Sequence, residues 1–303
     1  MVLIKPKPLR TLVVFIFVVT ATFLIGAFLS CPVYLILSDI AEIRYYKVLH
    51  FSILLTGIFL GLWYLKTSRQ LKVLGSGNPR QKLLRQFAFG FAGGLVVLVI
   101  VEGCLFGLGM RQIDPDFHHG PAALTRVLTA ALLSGLAVGM TEELLFRGVI
   151  FTGLARYSGC LYALLISSLF YSAVHFLDFR SLPSGSGINW LTGITSLTSL
   201  LHRFGDPEIY DSFLSLFVLG VLFGMARWST GNIVTSAGLH AGIVATNKIF
   251  SFVTDYREGS RYLFLVNSYD NQTGYLATFW LVAACILYYL LFMRGRPALH
   301  QQD

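Results

Sequence analysis

Charge is scarce in this chain. Asp, Glu, Lys and Arg make up 13% of its 303 residues, against 55% hydrophobic residues. Soluble domains carry about a quarter charged residues and little continuous apolar sequence, so the scarcity excludes a water-soluble globular protein. Cysteine is sparse too. Cys31, Cys104, Cys160 and Cys285 are scattered and form no C-x-x-C pair. Buried free thiols are the expected state, with a Cys31–Cys104 bridge the one conceivable pairing. There is no His-Glu-x-x-His, no internal repeat and no soluble second domain. No small-x-small cleavage site follows the first apolar run. Its length also exceeds a signal core of about 7–15 residues, so it is expected to be retained as a first span.

Long hydrophobic runs are what the chain does have. The stretch "TLVVFIFVVTATFLIGAFLSCPVYLIL" exceeds the roughly 20 residues that cross a bilayer. Runs of this kind predict about eight spans, near 11–37, 48–66, 86–109, 122–155, 160–177, 212–228, 231–253 and 275–293. The fourth is too long for a simple crossing and is expected to tilt or to begin along the membrane surface. The expected fold is an all-α polytopic transmembrane helical bundle forming one integral membrane domain. It divides into N-terminal spans (1–120), a core (121–253), and an outer loop with the last span (254–303).

The loops separate charge. With the N-terminus inside, the inner segments hold Lys5, Lys7, Arg10, Lys66, Arg69, Lys72, Arg80, Lys82, Arg85, Arg156, Arg227, Arg294 and Arg296, and no acid but Asp303. Asp39, Glu42, Asp114, Asp116, Asp178, Asp206, Glu208, Asp211, Asp255, Glu258 and Asp270 fall outside. Such asymmetry sets orientation and predicts both termini in the cytoplasm; the composition reads as that of a protein of a prokaryotic plasma (inner) membrane. The net charge of +8 then needs no nucleic-acid partner. The basic linker 66–86 reads as a loop facing anionic headgroups. Outer segment 178–211 is the longest loop and is expected to cover the membrane surface near a site. Small-x-x-x-small pairs (Gly90/Gly94, Gly103/Gly107, Gly135/Gly139, Gly220/Gly224, Gly238/Gly242) let helix backbones approach closely in lipid.

Polar residues inside the spans are the informative exceptions. In "GMTEELLFRGVIF", Glu142, Glu143 and Arg147 would together cost about 9 kcal/mol in mid-membrane before any pairing. Glu143 and Arg147 are four apart and can pair on one helix face. Glu142 is rotated by about 100° and has no partner at that spacing. His175 lies in the fifth span, one turn after Tyr171. His240 lies in the seventh, with Asn247 two turns later on a similar face. A carboxylate beside imidazoles in a partly wet cavity is equipment for activating water, and an imidazole can donate to an oxyanion. A structural charge cluster that fixes packing is the alternative. His118 and His119 sit in a loop and are expected to be solvated. Glu102, near the outer end of its span, is expected to snorkel to the interface.

Glu-Glu-x-x-x-Arg, then aromatic-x-x-x-His, then a further helix carrying His resembles the CaaX protease and bacteriocin-processing family (CPBP, also called Abi), which includes the Ras-converting CaaX endopeptidases. The likeness covers roughly residues 120–253, a four-helix catalytic core, and includes "GVLFGMARWSTGNIVTSAGLHAG". Tyr171 stands where the family usually has Phe, and Val244 where it often has Asn. The resemblance implies an intramembrane glutamate endopeptidase acting on a membrane-associated or lipidated peptide or protein in the bilayer, without a cofactor or metal. Glu142 would be the base and His175 would hold the water. His240, with Asn247, would stabilise the oxyanion, and Glu143 with Arg147 would orient the site. Two alternatives stand beside it. One is a zinc peptidase with Glu142, His175 and His240 as ligands. The other is a non-catalytic scaffold or transporter-like protein that keeps the core.

Overall fold

A computed structural model of the protein describes residues 8–40, 42–114, 120–179, 187–257, 259–266 and 272–294. Helix α1 (Pro8–Ser38) pairs with α2 (Tyr45–Thr67). Then follow α3 (Arg80–Gly107) and α4 (Pro121–Glu143), which continues through a π-helical segment (Leu144–Ile150) into α5 (Phe151–Ser158). Helices α6 (Cys160–His175), the short α7 (Thr192–Ser199), α8 (Tyr210–Thr230), α9 (Val234–Val253) and α10 (Tyr275–Tyr288) complete the bundle. Strands β1 (Arg111–Ile113) and β2 (Thr254–Tyr256) form an antiparallel ribbon with Arg111 opposite Tyr256.

Among the described residues, six helical stretches are long and apolar enough to cross a membrane: Leu9–Ser38, Tyr45–Thr67, Arg80–Gly107, Pro121–Ser158, Pro207–Thr230 and Tyr275–Met293. The other two expected spans are helices as well, of a different kind. Helix α6 has only 16 residues. Helix α9 has 20 and is more polar, because it packs between α3 and α4, and eight consecutive residues from Thr235 to Gly242 are buried. A helix surrounded by protein does not need a lipid-like surface. Helix α1 makes the contrast, with Val13, Ile16, Phe17 and Ile36 all exposed.

Glycine explains how α9 reaches the centre. An added Cβ at Gly90 or Gly94 of α3 would strike the carbonyls of Thr235 and Leu239, and one at Gly238 or Gly242 would strike those of Phe87 and Phe91. On its other side α9 meets Gly135 and Gly139 of α4 through the carbonyls of Ala241 and Ala237. Gly220 and Gly224 of α8 lie against Ser168 and Leu164 of α6. Four of the five expected pairs are therefore helix–helix contacts, whereas among the described residues an added Cβ at Gly103 or Gly107 would meet nothing within 4 Å. Gly231, at φ 76°, ends α8, and the Asn232 side chain then accepts from the backbone of Val234 to start α9. A left-handed residue at a helix end favours glycine because it has no Cβ.

The long fourth span is one helical rod from Pro121 to Ser158. Its π segment begins at the residue after Glu143. Such segments often mark functional sites, because the wider turn shifts the register of the side chains. Helix α7 folds back on α1, with Gly193 against the Ala27 carbonyl and Trp190 beside Phe28. All four cysteines are free.

Glu102 does not reach the interface. It is fully buried, with Arg111 of β1 at 3.3 Å and the Gln272 amide donating to its other oxygen. Arg111 also donates to Thr254 of β2. The ribbon supplies a counter-charge, so the carboxylate does not need water. His118 and His119 lie outside the described residues.

Candidate active site

The two neighbouring glutamates occupy different environments. Glu143 faces the protein interior and is fully buried, while the Glu142 side chain is 27% exposed. Arg147, also fully buried, donates to Glu143 Oε1 at 3.0 Å and to the Gly220 carbonyl at 2.9 Å. Its guanidinium lies 4.5 Å from the Tyr171 ring centre and 5.1 Å from that of Phe223. The charge is thus held by a carboxylate, a carbonyl and two aromatic faces, which offsets its removal from water.

His240 of α9 is almost buried, stacked on Phe223 with ring centres 4.7 Å apart. Its Nδ1 is 3.3 Å from Glu143 Oε1. A carboxylate accepts, so Nδ1 donates, and Nε2 is the atom turned towards Glu142 at 3.8 Å from Oε2. His175, the last residue of α6, is set in the same way. Its Nδ1 donates to the Tyr171 carbonyl at 2.7 Å, and its Nε2 is 3.8 Å from the same Glu142 oxygen. Orienting one ring nitrogen fixes what the other presents. Glu142 Oε2 accepts no hydrogen bond among the described residues.

Glu142, Glu143, Arg147, Tyr171, His175 and His240 therefore form one connected cluster from three long elements. Asn247 does not join it. It lies seven residues from His240, about 10.5 Å along the helix, and its side chain accepts from Ser251 one turn further on. Its expected share in an oxyanion site needs a correction of geometry: the shared helix face is there, the proximity is not. Among the described residues, no group of three or more His, Cys, Asp or Glu is placed to hold a metal ion.

Reasoning from sequence missed His50. It stands near the start of α2, stacked on Phe179 at 4.8 Å, within electrostatic reach of Glu142. An imidazole inside an apolar span was the available signal. The stacking on Phe179, from the loop after α6, was not legible in the sequence.

A helical bundle with a carboxylate–imidazole cluster set among membrane-length helices defines a class: an integral membrane protein with a polar, enzyme-like centre. Residues 124–246 match the family model for Rce1-like proteins, described as type II CAAX prenyl endopeptidase Rce1-like. This segment, about two fifths of the chain, is thus similar to the CaaX protease family, as the ordered motifs suggested. The matched segment contains all six clustered residues and stops one short of Asn247. No curated protein and no solved structure matches the chain.

Proposed function

We propose that the protein is an intramembrane endopeptidase that hydrolyses a peptide bond of a membrane-associated or lipidated substrate, with Glu142 activating the water. One observation carries this. Glu142 turns an unpartnered oxygen towards two oriented imidazole Nε2 atoms, while Glu143 beside it is neutralised. At 3.8 Å the groups are too far apart for direct hydrogen bonds, and all three would face one water that entered between them.

The cluster balances its charge if His240 carries a proton: two carboxylates stand against Arg147 and one imidazolium. His175 is then neutral, with a lone pair on Nε2. A water between His175 Nε2 and Glu142 Oε2 gives one proton to the Glu142 carboxylate as its oxygen attacks the substrate carbonyl. His240 Nε2–H donates to the oxygen that gains charge. Glu142 then returns the proton to the leaving nitrogen, and the peptide bond breaks. Glu143 and Arg147 hold His240 in place and do not touch the substrate.

The test is turnover of a quenched fluorescent farnesyl-cysteine peptide in liposomes, together with peptide profiling of cells carrying wild-type or Glu142→Gln protein. General-base catalysis contributes about 10²–10⁴-fold, so Glu142→Gln should lose at least that lower factor while remaining folded. Near-wild-type cleavage by this variant, or a cellular effect it fully retains, sinks the proposal and favours a non-catalytic scaffold.

A further inference from the structure

Several basic groups on the side expected to lie outside are held by the protein itself. Arg111 meets Glu102, Arg203 meets Asp178, and Lys248 donates to Ser134 at 2.8 Å. Arg257 and Arg261 differ. Among the described residues no carboxylate pairs with either, and both line one cavity of about 290 Å³. It lies just past the end of α3, between Leu108 and Gly109 on one side and the loop after β2 on the other.

The loop is docked there. The Arg257 backbone N–H donates to the Met110 carbonyl at 3.0 Å, and the Ser260 hydroxyl donates to the Leu108 carbonyl at 3.2 Å. Gly259, at φ 90°, turns the chain between these attachments, a conformation that glycine takes without strain. Tyr262, which also lines the cavity, sets the Arg261 guanidinium. Its hydroxyl accepts at 2.7 Å, and its ring centre is 4.8 Å from the guanidinium carbon. Having accepted, that hydroxyl still has its own proton to donate. The cavity therefore offers two cations and a hydroxyl donor with no described acid opposite, which suits an anion. An arginine fork matches the oxygens of a phosphate group.

Position names the source. The β1–β2 ribbon ties the ends of α3 and α9 together, and Met110, Val266 and Ala277 of α10 share one apolar cluster. Three spans thus end at this level, where the headgroups lie. Aromatic side chains are enriched at that depth. Tyr262 is half-buried there, and Phe264, two residues on, is 68% exposed. Small-molecule sites span about 300–1,000 Å³, so this cavity suits a headgroup rather than a whole lipid.

We propose that the cavity binds a phosphate group between Arg257 and Arg261, and that a phospholipid of the surrounding leaflet brings it, with its acyl chains beside Phe264. The site would fasten the ribbon end of the bundle to the membrane surface. It does not depend on the reaction assigned to Glu142. Glu258 stands between the two arginines in sequence and lies outside the described residues, so the test includes it.

The experiment is lipid retention by the full-length protein in detergent, followed by native mass spectrometry during titration with dioleoylphosphatidylglycerol. Dioleoylglycerol, which has the same acyl chains and no phosphate, is the comparison. Arg257→Gln/Arg261→Gln should weaken one retained phospholipid about ten- to a hundredfold, with melting temperature and dioleoylglycerol retention unchanged. Arg257→Lys/Arg261→Lys should recover part of the loss, because the charge returns without the fork. Inorganic phosphate separates the sources. Retention that millimolar phosphate does not reduce supports the lipid, whereas a phosphate adduct that displaces the lipid and needs both arginines keeps the site and makes free phosphate its occupant. Undiminished retention in the glutamine variant overturns the proposal. So does an equal loss in Arg44→Gln/Lys47→Gln, the same charge change at an exposed pair at the start of α2, since net charge alone would then govern binding. Retention that appears only in Glu258→Gln also overturns it, since the chain's own carboxylate would then occupy the arginines.

Discussion

Two regions of this molecule bury a glutamate against an arginine, and they are finished differently. At the ribbon, Glu102 meets Arg111 with one oxygen and the Gln272 amide with the other, and Arg111 also reaches Thr254. The buried pair itself is balanced, one acid to one base. At the centre, Glu143 and Arg147 form a similar pair, but Glu142 is added beside them, 27% exposed and turned to two imidazoles. Burial of charge alone does not distinguish chemistry from architecture. A matched pair clips elements together, whereas a surplus, oriented and half-open carboxylate can exchange a proton.

The sharpest way to break this contrast is to neutralise each glutamate in turn. Glu142→Gln should lower turnover by about 10²–10⁴-fold with little change in thermal stability. Glu102→Gln should do the opposite, leaving Arg111 unpaired and costing about 3–5 kcal/mol, with turnover per folded molecule retained. Turnover and melting curves on both variants check it; equal effects on activity would erase the distinction.

The arginines sharpen it further. Arg147→Ala and Arg111→Ala each strand a buried carboxylate, so both should lose about 3–5 kcal/mol, seen as reduced membrane accumulation and melting temperature. Only Arg147→Ala should also impair the surviving folded protein, because His240 leans on the Glu143 that Arg147 holds. A normally folded, fully active Arg147→Ala protein would show that the pair does not orient the site.

A smaller effect is expected from metal removal. If Glu142 works through water alone, chelation should leave turnover unchanged, and purified protein should contain well under one zinc per chain. Stoichiometric zinc, lost together with activity in His240→Ala, would convert the centre to a metallopeptidase. Finally, the charge asymmetry of the loops orients the two regions without perturbing either. C-terminal reporter fusions at residues 75 and 303 should report the cytoplasm and one at 195 the outer side, which would put the Glu102 clip near the outer rim. A fusion at 303 reporting outside breaks the eight-span arrangement.

Sequence alone determined the membrane class, the helices and the identities of the central polar residues. These follow from local quantities: apolar run length, the cost of a charge in lipid and the 3.6-residue period that pairs Glu143 with Arg147 and leaves Glu142 aside. Tertiary structure decided how those residues serve one another. Glu102 found its counter-charge on a ribbon completed by β2, far away in sequence, so the snorkelling expected from its place near a helix end did not occur. His50 stacks on Phe179, a loop residue far away in sequence, and Lys248 reaches Ser134 across two antiparallel helices. Each of these depends on the distance and rotation between helices. Those are set by where glycines let backbones touch and where the π segment shifts the register, and neither is encoded in the periodicity of a single helix.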